Sequence, residues 1–462
     1  MNKSDFRKLA SDMHQAFVPT SDIRHPTSVP DRRSVLLICH SLPPYEYSGT
    51  PLVTRDYALG LQGMGYRVGV MIPNLTPAES PGPFKIEEQE GVRIYRVMGF
   101  NQISLNLGSA FLKDMTLLQP VKEVLQEFKP DFAHVVDYVF LPPQVLQVAS
   151  DSGAIVMRHA FHAEELCLRV EPCLAELSQP CTGPTSPAKC ARCITQYIQR
   201  PDRPAPWDEG ALEGNIQAWR QYIQFLYDRV VDGVFFASSV FQRFFAQFLR
   251  VPEHKMFLVP HGIRPPRSMP APTEADKPVT FCFIGSTVIR KGIELLSYAF
   301  RNIDPDLAQL LIYGYYYDPA LVQELTSIPC VKHRGAFDDI DEIMAEVDVG
   351  LVPSYFEGYS RVLREFLSRG RPVIATKFFG SEIVADNSNG FLIDIGDQEA
   401  LRERVTALIA DRALLCRLKH GAAATAVPTL DEEIRSIHGV YQLLWERKRG
   451  IDRIIPEGNP ES

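Results

Sequence analysis

The chain has 462 residues, 45% of them apolar, and a formal net charge of -8. That length is more than one hydrophobic core usually serves, so two domains are predicted. The acidic balance argues against a nucleic-acid partner, and no apolar run approaches the roughly 20 residues of a spanning helix.

The opening MNKSDFRKLASDMHQAF lacks the apolar centre of a secretory signal and reads as a polar lead-in over residues 1–32. The expectation is a cytoplasmic protein, with peripheral contact at the inner face of a membrane left open. The first domain is expected over residues 33–262. Its strands are read at Val35–Cys39, Arg67–Ile72, Val92–Val97, Phe132–Val136, Ala154–Met157 and Val234–Ala237. A helix is read from Pro51 to Met64, where Val53, Tyr57, Ala58 and Leu61 share one face. Residues 164–214 interrupt the alternation as a cysteine-rich insert, and helix resumes near Ala218.

A Pro-rich linker follows over residues 263–278. The pattern then restarts over residues 279–430. Strands are predicted at Val279–Ile284, Leu310–Tyr313, Val331–Arg334, Val349–Val352 and Val373–Thr376. Helices are predicted at Lys291–Arg301, Pro319–Thr326, Ile340–Ala345, Arg361–Arg369 and Ala400–Asp411. A last helix, residues 431–449, is expected to cross back to the first domain through Tyr441, Leu444 and Trp445, before a polar tail at 450–462. The fold class is therefore α/β, with two Rossmann-like doubly wound domains facing across a cleft.

The richest stretch is VGLVPSYFEGYSRVLREFLSRGRPVIAT, Val349–Thr376: strand, polar loop, helix, strand. Glu357 lies in the loop, and Glu365 lies on the helix about a turn and a half beyond a Ser360 cap. Carboxylates at such an edge can accept hydrogen bonds from sugar or ribose hydroxyls, and the helix N-terminus suits a diphosphate. Glu357, seven residues, Glu365 and then GRPVIAT resemble the E-x7-E signature of glycosyltransferase family 4, retaining enzymes of GT-B fold. PPYEYSGTPLVTRDYALGLQGMGYRV, VPEHKMFLVPHGI, FCFIGSTVIRKGIELL and FFGSEIVADNSNGFLI resemble further family segments in order.

The resemblance implies a nucleotide-sugar donor, UDP- or GDP-linked, and a glycan or lipid-linked acceptor. Glu365 would bind the donor ribose, while Glu357, Gly358, Tyr359 and Ser360 would line the sugar and phosphate region. Lys291 would neutralise the diphosphate, and Gly49 beside Thr50 would let backbone approach it. The family commonly has Gly-Arg where this chain has Gly285-Ser286, so Arg290 is the substitute cation. A histidine near the reacting sugar is also implied; His159 is the first candidate, His162 the rival, and His134 a sheet-end residue. Catalytic roles thus fall to His159, Glu357 and Lys291, with no catalytic metal expected. Asp339-Ile340-Asp341 spells D-x-D but precedes a helix, where Asp is an ordinary cap.

Cys167, Cys181, Cys190 and Cys193 can supply four thiolates for structural zinc, with Cys173 as an extra, and this too resembles an insert in some family members. An iron–sulfur cluster would use the same ligands, and unliganded thiols are the plain alternative. An NAD-dependent oxidoreductase is disfavoured because no G-x-G-x-x-G follows the first strand. A non-catalytic GT-B-like binding protein with a zinc module is the second reading.

Overall fold

The computed structural model describes residues 33–73, 83–97, 118–139, 141–168, 181–198, 208–269, 277–314, 319–337 and 339–450. The lead-in at 1–32, residues 451–462 of the tail, Cys173 and linker residues 270–276 lie outside the described residues.

The first domain opens with strand β1 (Ser34–Ile38) and helix α1 (Gly49–Gly63), then β2 (Arg67–Pro73), β3 (Phe84–Gln89) and β4 (Val92–Val97). Next come α2 (Gln119–Phe128), β5 (Phe132–Val135), α3 (Gln144–Asp151) and β6 (Ile155–His159). The insert carries α4 (Pro187–Ile198), and α5 (Glu209–Arg229), β7 (Gly233–Phe236), α6 (Ser239–Ala246) and β8 (Met256–Leu258) complete the domain. The sheet order is β3-β4-β2-β1-β5-β6-β7-β8, parallel except for the antiparallel β3–β4 pair. The buried strands are continuous apolar runs because helices cover both faces.

The second domain runs β9 (Val279–Ile284), α7 (Ile293–Phe300), β10 (Ala308–Tyr313), α8 (Pro319–Thr326) and β11 (Val331–Gly335). It continues with α9 (Ile340–Glu346), β12 (Val349–Val352), α10 (Arg361–Ser368), β13 (Val373–Thr376) and β14 (Gly390–Ile393). Helices α11 (Gln398–Ala410), α12 (Arg412–Ala423) and α13 (Leu430–Lys448) end the described chain. The sheet order is β11-β10-β9-β12-β13-β14, all parallel.

Strands β3, β8 and β14 were not expected from the sequence, and three further points differ. Helix α5 begins at Glu209 rather than near Ala218, because Asp208 accepts the Ala211 N–H as an N-cap. The insert contains a helix, α4, where only a break was expected. Lys291 ends a short 3-10 turn, Ile289–Lys291, and left-handed Gly292 separates it from α7.

One contact between the domains is a backbone bridge. Gly262 and Ile263 meet Pro428 and Thr429, with Ile263 N–H donating to Pro428 O at 3.0 Å. From there α13 returns over the first domain: Tyr441 stacks on Phe132 at 4.7 Å and donates or accepts with His134 Nδ1 at 2.8 Å. A second contact between domains is aromatic, with Phe241 and Phe244 of α6 against Phe379 at 5.3 and 4.9 Å.

Candidate active site

In each sheet the strand order reverses beside a central strand, between β1 and β5 in the first and between β9 and β12 in the second. Ligands of open α/β sheets bind outside the carboxyl ends of strands at such points. The chain leaves β9 at Gly285, β12 at Pro353, β1 at Cys39 and β5 at Val136, and residues after these exits lie within electrostatic reach of one another: Arg290 acts on Glu357 and on His162, which in turn feels Asp137 and His40.

On the second-domain side, Lys291 Nζ donates to Glu357 Oε1 at 2.5 Å, and Ser354 Oγ donates to the same oxygen at 2.9 Å. Burial alone would raise the Glu357 carboxyl, but the positive charges of Lys291 and Arg290 hold it below its ordinary value. Arg290 therefore stands within electrostatic reach of Glu357. Gly358 comes next, where an added Cβ would overlap the carbonyl oxygen of Phe161 in the opposite domain. The domains thus touch beside Glu357, and only glycine fits. Tyr359 O–H donates to His261 O at 3.0 Å, and Arg364 lies over its ring. Ser360 caps α10 by accepting the Leu363 N–H.

Glu365 is buried on α10, with Oε1 accepting from Arg361 Nε at 3.3 Å and Oε2 from Arg369 Nη1 at 2.5 Å. Arg369 is also bound to Asp341 at 2.5 Å, and Asp339 caps α9 by accepting the Asp341 N–H. The D-x-D carboxylates therefore serve a helix cap and two arginines, as an ordinary cap reading expects.

On the first-domain side, α1 begins at Gly49 with no side-chain cap on its amides; Ser48 instead hydrogen-bonds Glu46. A Cβ at Gly49 would have nothing within 4 Å. Thr50 Oγ1 is 3.2 Å from His162 Nε2. Burial lowers the His162 imidazole to about 4, against the Asp137 charge and with help from Arg290. His162 is thus the histidine beside the α1 N-terminus.

His159 lies elsewhere. It is fully buried in a stack of rings, 4.0 Å from Phe161, 5.2 Å from His261 and 5.6 Å from His134, and neither ring nitrogen has a hydrogen-bond partner. The structure does not bring it to the cleft surface. The β6 strand simply continues through His159, and the turn that reaches the cleft comes two residues later. His134 is equally buried, bonded to Tyr441.

Sequence reasoning missed His40 and Asp137. They leave β1 and β5 side by side, with His40 Nδ1 2.6 Å from Asp137 Oδ2 and His40 Nε2 3.3 Å from Glu46. Burial alone would lower the His40 imidazole, but Asp137 and Glu46 push it up to about 10. The fully buried Asp137 is held below its ordinary value, against its burial, by His40. The only sequence signal was position: each follows an apolar strand directly.

The cysteine cluster does not assemble a metal site as it stands. Among the described residues no group of three or more His, Cys, Asp or Glu side chains is placed to hold an ion. Cys190 Sγ accepts from Arg220 Nη2 at 3.1 Å, and Cys181 Sγ faces Gly183 O at 3.6 Å. Burial raises the Cys190 thiol. Cys181 and Cys193 lie within electrostatic reach of Cys190, and tetrahedral zinc would need all four ligands to converge. Among the described residues no helix is long and apolar enough to cross a membrane.

Residues 278–411 match the family described as Glycosyl transferases group 1. The chain is 31% identical over 164 residues to the lipopolysaccharide core biosynthesis glycosyltransferase LpsE of Rhizobium meliloti (strain 1021), covering 35% of this chain and 48% of that protein. The chain thus spans about half the length of this curated relative. Among solved structures, the sucrose-phosphate synthase of Thermosynechococcus elongatus superposes with a TM-score of 0.65 at 19% identity, covering 90% of this chain and 100% of that one. Anabaena HepE in complex with UDP and glucose gives a TM-score of 0.58 at 16% identity, covering 90% and 100%. The chain has the GT-B fold, two parallel-sheet α/β domains, and its residues 278–411 match the group 1 glycosyl transferases.

Proposed function

We propose that the chain is a retaining glycosyltransferase that moves a hexose from a nucleotide sugar to a glycan or lipid-linked acceptor. The observation that carries the reading is the half-buried Lys291–Glu357 pair at 2.5 Å, set with Arg290 at the second switch point, where the Arg290 charge reaches both Glu357 and the His162 beside Thr50 of α1. A departing nucleoside diphosphate needs cations and N–H donors aimed at its oxygens. Lys291, Arg290 and the amides at the starts of α1 and α10 supply them. Glu357 keeps Lys291 in place, and Glu365 takes the ribose hydroxyls.

The proton of the acceptor passes to the departing phosphate in this reading, so no carboxylate base is assigned. His162 faces the cleft beside Thr50, and we assign it the sugar-facing place first expected of His159. Uncharged at neutral pH, it can accept or donate one hydrogen bond without opposing the cations. The similarity to LpsE, named for lipopolysaccharide core biosynthesis, and to HepE, solved with UDP and glucose, supports a nucleotide-sugar donor and a saccharide acceptor.

A structural zinc on Cys167, Cys181, Cys190 and Cys193 rests on their spacing alone and carries no step. One zinc per chain by elemental analysis would reinstate it. The function is tested by incubating the protein with a panel of nucleotide sugars and measuring nucleoside diphosphate release. The anomeric configuration of the product is then read by NMR. Release from one donor with retention is the expected result; no release from any donor, or inversion, overturns the reading.

A further inference from the structure

This inference rests on the donor-site reading above. Asp56 projects from α1 in the first domain and is buried. Its two oxygens accept from two arginines outside that domain: Oδ1 from Arg264 Nη2 at 2.7 Å, and Oδ2 from Arg361 Nη1 at 2.8 Å. Arg361 is the first residue of α10, and its Nε reaches Glu365 Oε1 at 3.3 Å. The other Glu365 oxygen is held by Arg369, which Asp341 binds in turn, and Arg267 closes the series on Asp341 and Asp339. Signs alternate along the whole run, from the connecting segment through the first domain into the second.

Glu365 must offer lone pairs to ribose hydroxyls, yet both its oxygens face arginines. Asp56 and Asp341 each draw one of those arginines away from it. The longer Arg361 contact, 3.3 Å against 2.5 Å for Arg369, is the one directed toward the opposite domain. We propose that Asp56 is a positioning residue for the donor site of the other domain. It restrains Arg361 so that Glu365 Oε1 stays available to the nucleotide, which couples donor affinity to the seating of the two domains. Without Asp56, Arg361 closes on Glu365 as a buried ion pair and competes with the ribose.

The test is calorimetric titration of the full-length protein with UDP and with GDP. The variants are Asp56→Asn, Asp56→Glu, Arg361→Gln, Glu365→Gln and the double variant Asp56→Asn/Glu365→Gln, with a thermal melt of each. Asp56→Asn is expected to weaken the nucleotide that wild type binds by about 3- to 10-fold, the worth of one ordinary hydrogen bond. Asp56→Glu should restore affinity to within about twofold. In the Glu365→Gln background the Asp56 substitution should change nothing further. Arg361→Gln removes the group that Asp56 restrains and should bind at least as tightly as wild type.

A merely structural Asp56 would lower the melting temperature and leave the affinity of the folded protein unchanged, which overturns the proposal. So would additive effects in the double variant, or lost binding in Arg361→Gln. Wild-type affinity in Glu365→Gln has a different meaning: it refutes the donor-site reading itself and the proposal with it.

Discussion

Gly49→Ala separates fold from function at one atom. Gly49 opens α1, and an added Cβ meets nothing within 4 Å, so the folded protein has room for the methyl group. Alanine also restricts the unfolded chain and favours helix, which predicts a stability equal to wild type or higher by about 0.5–1 kcal/mol. A nucleoside diphosphate seated on the α1 amides would meet that methyl group directly. Losing one amide-to-phosphate hydrogen bond costs about 1.5–3 kcal/mol, a weakening of about 10- to 150-fold. Calorimetric titration with the preferred nucleotide measures the affinity, and a thermal melt measures the fold. An unchanged melt with weakened binding is expected. Wild-type affinity in Gly49→Ala would show that the phosphates do not approach this turn, and the first-domain half of the site would have to be redrawn.

Gly358→Ala is the counterpart, since its Cβ would overlap Phe161 O across the cleft. It should cost about 1–3 kcal/mol or hold the domains apart, read as a lower melting temperature or a larger radius of gyration in solution scattering; neither change would refute the interdomain contact. Lys291→Gln removes the cation from the diphosphate site and from Glu357. Turnover should fall by about 100- to 1,000-fold, the size seen when one transition-state donor is lost, and a smaller than tenfold loss would deny Lys291 its role. Acid should destabilise the protein through His134, pushed down to about 3 by burial and the Arg158 charge, and His159, pushed well below its ordinary value by burial and nearby histidines. Both pKa values are depressed in the folded state, so the unfolded chain takes up more protons and stability falls as pH drops below about 6.5. Between pH 6.5 and 5.5 the two groups together remove about 2 kcal/mol. His159→Phe, which fits the ring stack and needs no hydrogen bond, should remove about 1 kcal/mol of the loss between pH 6.5 and 5.5; an unchanged slope refutes the assignment. His40 acts oppositely, since its pKa near 10 gives stability that is complete below about 6.5 and lost as pH rises toward 10.

The second domain was legible because its central strands β9, β12 and β13 are largely apolar runs and its helix caps are local, as with Ser360 and Asp339. Glu357 and Lys291 were also named from sequence, and the structure brings them into one ion pair although they lie 66 positions apart. What escaped reading was less local. β3, FKIEEQ, is an edge strand whose outward face is polar, so it shows no apolar run. The His40–Asp137 pair joins residues 97 apart, and the Asp56–Arg361 pair residues 305 apart; no spacing rule reaches that far. The choice between His159 and His162 turned on where β6 stops, and element ends are the least determined feature of a sequence.

Helix α13 has a consequence for biosynthesis. It is made after the whole second domain, yet its Ile434, Ile437, Val440, Tyr441 and Leu444 share one apolar cluster with Val35, Tyr57, Tyr66, Val70 and Phe132 of the first domain. Until the second domain and α13 have been made, that nascent lobe carries an uncovered greasy flank. Its amino-terminal half therefore matures only after the carboxyl-terminal half has been made, and a fragment ending at Gly262 lacks the lid for its own interior.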